Sequence, residues 1–411
     1  MAHTFNTSDL VSRGTKQALH AKAMLMNTTD HSYGADLRQR KYISGQSITI
    51  EIEPQATIST GRVGVLQDRK PKTVSATIGQ YNGVFATTSI QKAFDQDGEA
   101  GVVKYGRTIG LRLVREIERT GFQHAANYFG AAVGSPGAEP GSLRTWATGR
   151  ARIDDQLAEG RVYGAMSPLA MVALADSLKN ATNPGKAISN QNVSGQVKSL
   201  AGIDFYQCNS TYRHTAGTAD NTTPLVDGAP TNGSNTLHID GTTNGDIVTN
   251  ATHFVVGTVG ASDAVYAVDQ ETKQSLPYLQ KFSVISTSAA SSGSGDVDLT
   301  VSPAFYDSTD SRQNISQLPA DGATITFDTV DEESSQANIL YAPSALSLIT
   351  APLASDSTGA LKESFQTYGP VQIRTAIHPR DSINDQESLR VDAAWVWVAP
   401  RPEHGCVNWG A

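Results

Sequence analysis

DGEAGVVKYGRTIGLRLVREIERTGFQHAANYF, residues 97–129, reads as one long helix. Val102, Ile109, Leu113 and Ile117 recur near a helical period, while Arg107, Arg112, Arg115, Glu116, Glu118 and Arg119 fill the other faces. At about 1.5 Å per residue the helix would span about 50 Å, long for a globular protein, before Gly130 and Pro136 stop it. Gly106, Gly110 and Gly121 each cost up to ~1 kcal/mol relative to Ala, so tertiary packing has to hold the helix. Arg112 and Glu116 are i,i+4 partners, worth a few tenths of a kcal/mol. Interleaved signs favour a solvated or inter-subunit face over a nucleic-acid one.

Toward the N-terminus lies a hairpin pattern. Ile48, Ile50 and Ile52 alternate with Thr49, Glu51 and Glu53, a period of two. Thr73–Thr88, rich in β-branched and aromatic residues, reads as the returning strand. The connection Pro54–Pro71 carries Arg62, Asp68, Arg69 and Lys70 and is too long for a tight turn. An isolated two-stranded ribbon is marginal in water, so its apolar face is expected to need a neighbouring surface. Residues 1–41 are polar, with a short helical pattern over Thr15–Met26, and read as an arm outside the core.

Toward the C-terminus come a helix over Leu143–Ala158, a strand at Val162–Met166 and a helix over Pro168–Lys179. Ser167 as N-cap and Pro168 as first helical residue mark the start of that last helix. Strands follow near Gln196–Leu200 and Asp204–Cys208. Much later, Asn338–Tyr341 reads as a strand, Ser344–Ile349 as a short helix, Tyr368–Ile377 as a strand and Arg390–Val398 (RVDAAWVWV) as a buried closing strand.

Between these parts the composition changes. The chain has 411 residues and a net charge of −8, but residues 217–331 hold 14 acidic and only 3 basic groups, a net of −11. Residues 1–130 carry +5, 131–216 carry +2 and 332–411 carry −4. The acidic block is dense in turn pairs such as Asp227-Gly228, Asn232-Gly233, Asp240-Gly241, Asn244-Gly245 and Asp321-Gly322. Six short strand patterns lie between them: Thr236–Ile239, Thr252–Val259, Ala264–Val268, Phe282–Ser286, Val297–Val301 and Ala323–Phe327. That reads as a small antiparallel barrel or sandwich inserted into a host of mixed α+β class.

The chemistry is sparse. No GxxxxGK[ST], GxGxxG after a strand, GxSxG, HExxH or CxxC is present. His404 and Cys406, two apart, are a weak metal-ligand pair, and Asp296 with Asp298 a weak calcium-site fragment. In each case structural polar contact or a solvated turn is the stronger reading. No catalytic constellation, cofactor or metal site is expected. Cys208 and Cys406 read as reduced thiols. No run approaches the roughly 20 apolar residues of a membrane-spanning helix, so no membrane partner is expected. The start MAHTFNTSDL lacks the pattern of a signal peptide.

The order of these parts resembles the major capsid (coat) proteins of tailed bacteriophages with the Hong Kong 97-type fold, specifically the P22 coat-protein branch with its inserted β domain. The resemblance rests on YFG at Tyr128–Gly130 leading into TWATGRARIDDQLAEG (Thr145–Gly160), on VYGAMSPLAMVALADSLK (Val162–Lys179) and on SGQVKSLAGIDFYQCNS (Ser194–Ser210). ANILYAPSALSLITAPL (Ala337–Leu353) and LRVDAAWVWVAPRPEHGCVNWG (Leu389–Gly410) complete it. It implies an N-terminal arm (1–41), an extended hairpin or E-loop (42–90), and a spine helix with a peripheral domain (91–160). The axial domain (161–216 and 332–411, with the closing strand) follows, interrupted by the inserted domain (217–331).

It further implies a non-enzymatic subunit that self-assembles into hexamers and pentamers of an icosahedral shell. Scaffolding and portal proteins would be its partners. The procapsid, built in the bacterial cytoplasm, would become a virion head that encloses double-stranded DNA non-specifically and expands on packaging. Ile48, Ile50, Ile52, Arg62, Asp68, Arg69 and Lys70 would then lie against a neighbouring subunit. The competing reading is a β-rich tail or surface adhesin with residues 217–331 as a receptor- or glycan-binding module. It would need exposed aromatics, for which Phe254, Tyr266, Tyr278, Phe305 and Tyr306 are the candidates.

Overall fold

The structure is a computed structural model. It describes residues 7–22, 24–34, 47–52, 71–88, 99–178, 199–219, 222–330, 332–355, 362–378, 383 and 386–410. The chain divides into two compact units. The first gathers Met1–Ile50, Val74–Gly121 and Ser347–Val398; the second gathers Glu51–Thr73, Phe122–Leu346 and Ala399–Ala411.

The first unit is organised by the strand Gln386–Val398. One edge pairs with Gly79–Thr88, from Thr88 opposite Gln386 to Gly79 opposite Trp395, and then with Ser347–Thr350. The other edge pairs with Val371–Ile377, itself in a hairpin with Lys362–Tyr368 that turns at Gly369 (φ +53°). Two expectations change here. The chain at 73–88 is two strands: Lys72–Thr77 pairs with Ser47–Ile52, whereas Gly79–Thr88 leaves the ribbon for the closing strand. Ser344–Ile349 is one 3₁₀ turn, Pro343–Ala345, followed by the buried strand Ser347–Thr350; pairing with the closing strand overrides the local helical pattern.

The helix Glu99–Tyr128 matches its expected span. Its glycines have a reason that propensity does not reveal. A helix over Thr7–Lys22 crosses so closely that a Cβ on Gly106 would collide with the Val11 backbone, and one on Gly14 with Val103. Thr15 Oγ1 donates to Gly106 O at 3.1 Å across the crossing, and Ser12 Oγ donates to Thr375 Oγ1 at 2.8 Å. A Cβ on Gly121 would meet Leu25 Cδ2 at 2.6 Å and Trp397 Cε2 at 2.8 Å. With Val11, Leu25 and Met26 all buried, this N-terminal stretch belongs to the core, against the expectation of a peripheral arm. Asp392 on the closing strand is fully buried between Arg374 Nη2 and Arg390 Nε, each at 2.7 Å.

The second unit holds a six-stranded mixed sheet and a six-stranded antiparallel one. The mixed sheet runs Ala131–Val133, Gly405–Asn408, Asn338–Tyr341, Val162–Met166, Ile203–Gln207 and Ser199–Leu200. The helices Leu143–Asp154 and Pro168–Ser177 pack on it through Trp146, Ile153, Ala170, Met171 and Leu174. Ser167 caps the second helix as expected, its Oγ accepting from Ala170 N at 3.0 Å. The chain leaves this sheet through Arg213–Thr215 and returns through Ser334–Gln336, and these two strands pair with each other as a neck.

Beyond the neck, the antiparallel strands run Ile325–Phe327, His253–Val256, Lys281–Val284, Val297–Ser302, Thr236–Asp240 and Leu225–Val226. Leu225 bridges back to Thr324, and Ile325 N donates to Pro224 O at 2.9 Å, so the sheet closes into a barrel. Its core stacks Phe254 against Phe282 and Phe282 against Phe305, with centroids 5.7 and 4.9 Å apart. All six expected strand patterns carry strand; Leu225–Val226 and Ser275–Leu279 are additional.

Candidate functional site

The hairpin was the sequence's candidate for subunit contact. Ser47 and Thr77 hydroxyls lie 3.1 Å apart, and those of Thr49 and Ser75 3.3 Å apart, on its exposed face. The opposite face holds Ile48, Ile50 and Ile52, which are 9%, 6% and 4% exposed. The chain itself buries them, so a neighbouring subunit is not required to cover them. Arg62, Asp68, Arg69 and Lys70 lie outside the described residues. At the base of the hairpin, Lys72 Nζ approaches Glu403 at 3.7 Å.

The charged face of the long helix is also reorganised. Glu116 pairs with Arg119 Nε at 3.0 Å, not with Arg112, and that hydrogen bond holds its carboxyl below the usual range. Glu118, expected on a solvated face, is buried; its Oε1 accepts from Met24 N at 2.5 Å and Leu25 N at 2.8 Å. It satisfies N–H groups at the start of the short helix Leu25–Thr28, where a negative charge is favoured.

In the second unit, a buried polar joint ties the barrel to its host. His253, on a barrel strand, donates from Nε2 to Phe129 O at 2.9 Å, while the Trp409 indole donates to its Nδ1 at 3.3 Å. Ser283 and Ser302 donate to the carbonyls of Ala126 and Tyr128 at 2.9 and 2.7 Å, so barrel side chains satisfy the open C-terminal turn of the long helix. Burial pushes His253, His214 and His124 down to about 4, keeping all three neutral.

The suggested metal fragments do not converge. Ser344 donates to His404 Nδ1 at 2.7 Å, and His404 Nε2 donates to Gln156 O at 3.1 Å. Burial pushes the Cys406 thiol up to about 11; Cys406 and Cys208 are both buried, and neither is in a disulfide. Asp298 pairs with His238 at 2.5 Å, whereas Asp296 accepts from Ser294 Oγ at 2.6 Å. Among the described residues, no group of three or more His, Cys, Asp or Glu is placed to hold a metal ion. No helix among them is long and apolar enough to cross a membrane.

A cavity of about 150 Å³ opens where the barrel meets its host. Lys72, Arg152, Arg401 and Glu403 line the host side, and Lys281 and Arg312 the barrel side. No linear spacing signals this cluster, because its members come from the hairpin base, one helix, the last turn and the barrel.

The family described as P22 coat protein, gene protein 5, matches residues 65–409. The chain belongs to the P22 coat protein family. No curated protein matches it. Among solved structures, the chain resembles one described as Mycobacterium phage Che8, with a TM-score of 0.47 at 9% identity, covering 94% of this chain and 91% of that one. A virus-like particle from Pyrococcus furiosus gives a TM-score of 0.43 at 10% identity, with 98% and 100% coverage. The bacteriophage PhiM1 mature capsid gives 0.42 at 11% identity, with 95% and 87% coverage.

For a coat-family chain the relevant sites are surfaces. Leu169 and Val172, one helical turn apart on Pro168–Ser177, are 59% and 65% exposed, and sequence reasoning missed them. The available signal was a helix apolar on every face, since an ordinary surface helix keeps a polar side. Of the five aromatics the adhesin reading names, two are core residues, and Tyr266, Tyr278 and Tyr306 are half-buried. Phe254 and Phe305 are fully buried, the Tyr278 hydroxyl donates to Asp155 at 3.0 Å, and the Tyr306 ring sits under Arg312 at 4.3 Å.

Proposed function

We propose that this chain is the shell-forming major capsid subunit of a tailed bacteriophage. The family match over residues 65–409 carries the reading. In this reading the chain has the Hong Kong 97-type architecture: E-loop hairpin, spine helix, peripheral and axial domains, and an inserted acidic barrel. Copies meet as hexamers and pentamers of an icosahedral procapsid, assembled with scaffolding and portal proteins in the bacterial cytoplasm. The shell expands as double-stranded DNA enters and becomes the head of the virion.

The hairpin tip, with Arg62, Asp68, Arg69 and Lys70, reaches a neighbouring copy. The exposed Leu169 and Val172 offer a second apolar contact between copies. Each exposed charge pair is worth about 0–1 kcal/mol, and many identical weak contacts close a shell cooperatively. The net charge of −11 on residues 217–331 suits a barrel standing outside the shell, away from DNA phosphates.

Expression of the chain with and without a scaffold, followed by sedimentation and electron microscopy, tests the reading. Closed shells or capsomer rings support it. A stable monomer or a trimeric fibre under every assembly condition refutes it. Deletion of Pro54–Pro71 tests the hairpin separately: the subunit should fold but fail to close shells.

A further inference from the structure

We propose that Asn244 is a site of spontaneous modification, at which the Gly245 backbone nitrogen displaces the side-chain amide as ammonia. The chain holds three Asn-Gly pairs, Asn82-Gly83, Asn232-Gly233 and Asn244-Gly245. Glycine obstructs attack by its own nitrogen on the preceding side chain least, because it has no Cβ. All three asparagines are exposed, so exposure does not rank them. What ranks them is how firmly each pair is held.

The attack needs a rotation about the Cα–C bond of the asparagine. Asn82 and Gly83 lie within the strand Gly79–Thr88, opposite Asp392 and Val391, and the ladder resists that rotation. Asn232 and Asn244 occupy the same place in two similar turns. Ser234 N donates to Thr231 O and Asp246 N to Thr243 O, both at 3.0 Å, and Gly233 and Gly245 have φ of +85° and +91°. Asn232 is tied at both reacting groups. Its Nδ2 donates to Asp307 Oδ1 at 3.1 Å and Thr309 Oγ1 at 2.9 Å, and Gly233 N donates to Phe305 O at 2.6 Å. The Asn244 carboxamide has no hydrogen-bond partner among the described residues. Gly245 N reaches Ser291 O only at 3.3 Å, longer than an ordinary N–H···O bond. A Cβ added to Gly245 would meet nothing within 4 Å, so this pair has room to turn.

The step balances with solvent water as its only co-reactant. A bond forms between Gly245 N and Asn244 Cγ, the Cγ–Nδ2 bond breaks, and the Gly245 N–H proton leaves with the amide as ammonia. The cyclic imide then takes up water at either carbonyl carbon. Opening at Cγ restores the main chain with an aspartate; opening at the Asn244 main-chain carbonyl reroutes the chain through the side chain as isoaspartate. Either product adds a carboxylate, ionised at neutral pH, to a segment whose residues 217–331 already carry −11. Isoaspartate also lengthens the main chain inside a turn whose ends are tied by Thr243, Asp246 and Ser291. The step needs only this chain and water, so it stands apart from the shell reading.

Ageing the unassembled full-length chain at mildly alkaline pH tests the proposal, read by peptide mapping with fragmentation that separates aspartate from isoaspartate. In the folded chain, Asn244 should gain the mass difference between OH and NH2 at least tenfold faster than Asn82 or Asn232. In urea the three rates should converge, because the fold is what separates them. Thr309→Val removes one acceptor from the Asn232 amide and should speed Asn232 several-fold while Asn244 keeps its rate. Gly245→Ala should slow Asn244 at least tenfold, with circular dichroism confirming a folded variant. Absence of a lead at Asn244 in the folded chain overturns the proposal. So does a lead that persists undiminished in urea, which would assign it to the neighbouring sequence.

Discussion

The barrel and the five-stranded sheet are both β structures with buried apolar side chains, but the chain reaches them by opposite routes. The barrel strands follow one another from Leu225 to Phe327 without leaving their own neighbourhood. The five-stranded sheet pairs Thr88 with Gln386 and draws its strands from two distant parts of the sequence, 79–88 and 347–398. Short loops close at a small entropic cost, whereas pairing across roughly 300 residues has to be offset by contacts that form late. The barrel is therefore a self-contained folding unit, and the sheet depends on the whole chain.

The strongest way to break this contrast is excision. Residues 213–336, neck strands included, should melt cooperatively when expressed alone, as followed by circular dichroism. A chain ended at residue 385 should lose the sheet of the first unit while keeping the barrel's transition. Failure of the fragment to show any cooperative melt would sink the contrast.

Next in size is the buried ion triad. Asp392→Ala leaves Arg374 and Arg390 without their shared carboxylate and should cost about 3–5 kcal/mol. In urea, the loss should fall on the transition of the first unit and spare the barrel. Phe282→Ala is the mirror experiment: removing a fully buried ring from the barrel core should cost about 3–5 kcal/mol there. Equal shifts of both transitions by either substitution would show that the two regions are one cooperative body.

Acid should discriminate between the units as well. His124, His214 and His253 belong to the second unit and titrate at about 4, against an ordinary 6.5. The unfolded chain therefore takes up protons first. The stability these groups preserve is complete above pH 6.5 and is lost as pH falls toward about 4. Each fully buried imidazole can remove roughly 3 kcal/mol over that window. Urea midpoints at pH 7 and pH 5 should fall further for the second unit, and His253→Gln should flatten its pH dependence. The smallest effect expected is local: Ser167→Ala, which removes a helix cap, should lower the second unit's stability by about 1 kcal/mol.

The barrel was legible because its signals are local. Turn pairs such as Asp240-Gly241 and alternating runs such as Val297–Val301 need no distant partner to be read. The long helix was legible for the same reason. What stayed hidden was set by partners far away. Gly106 looked like a weakness until a second helix was found lying on it. Glu118 looked solvated until the N–H groups of Met24 and Leu25 came to it. Ser347–Thr350 looked helical until the closing strand claimed it. The charged cavity drew its side chains from segments that no linear spacing connects.

The closing strand also sets a clock during synthesis. The sheet that covers Trp395 and Trp397 cannot form until the ribosome has made them, although the long helix that meets both indoles is finished near residue 128. Trp397 Nε1 donates to Ile117 O at 2.8 Å, and Trp395 Nε1 to Thr120 Oγ1 at 3.3 Å. At roughly 5–20 residues per second, the intervening stretch takes on the order of 15–60 s to emerge. For that interval Ile109, Leu113 and Ile117 have no sheet to cover them in the growing chain. The growing chain therefore leaves one apolar face of its longest helix open to solvent until the last strand has been made.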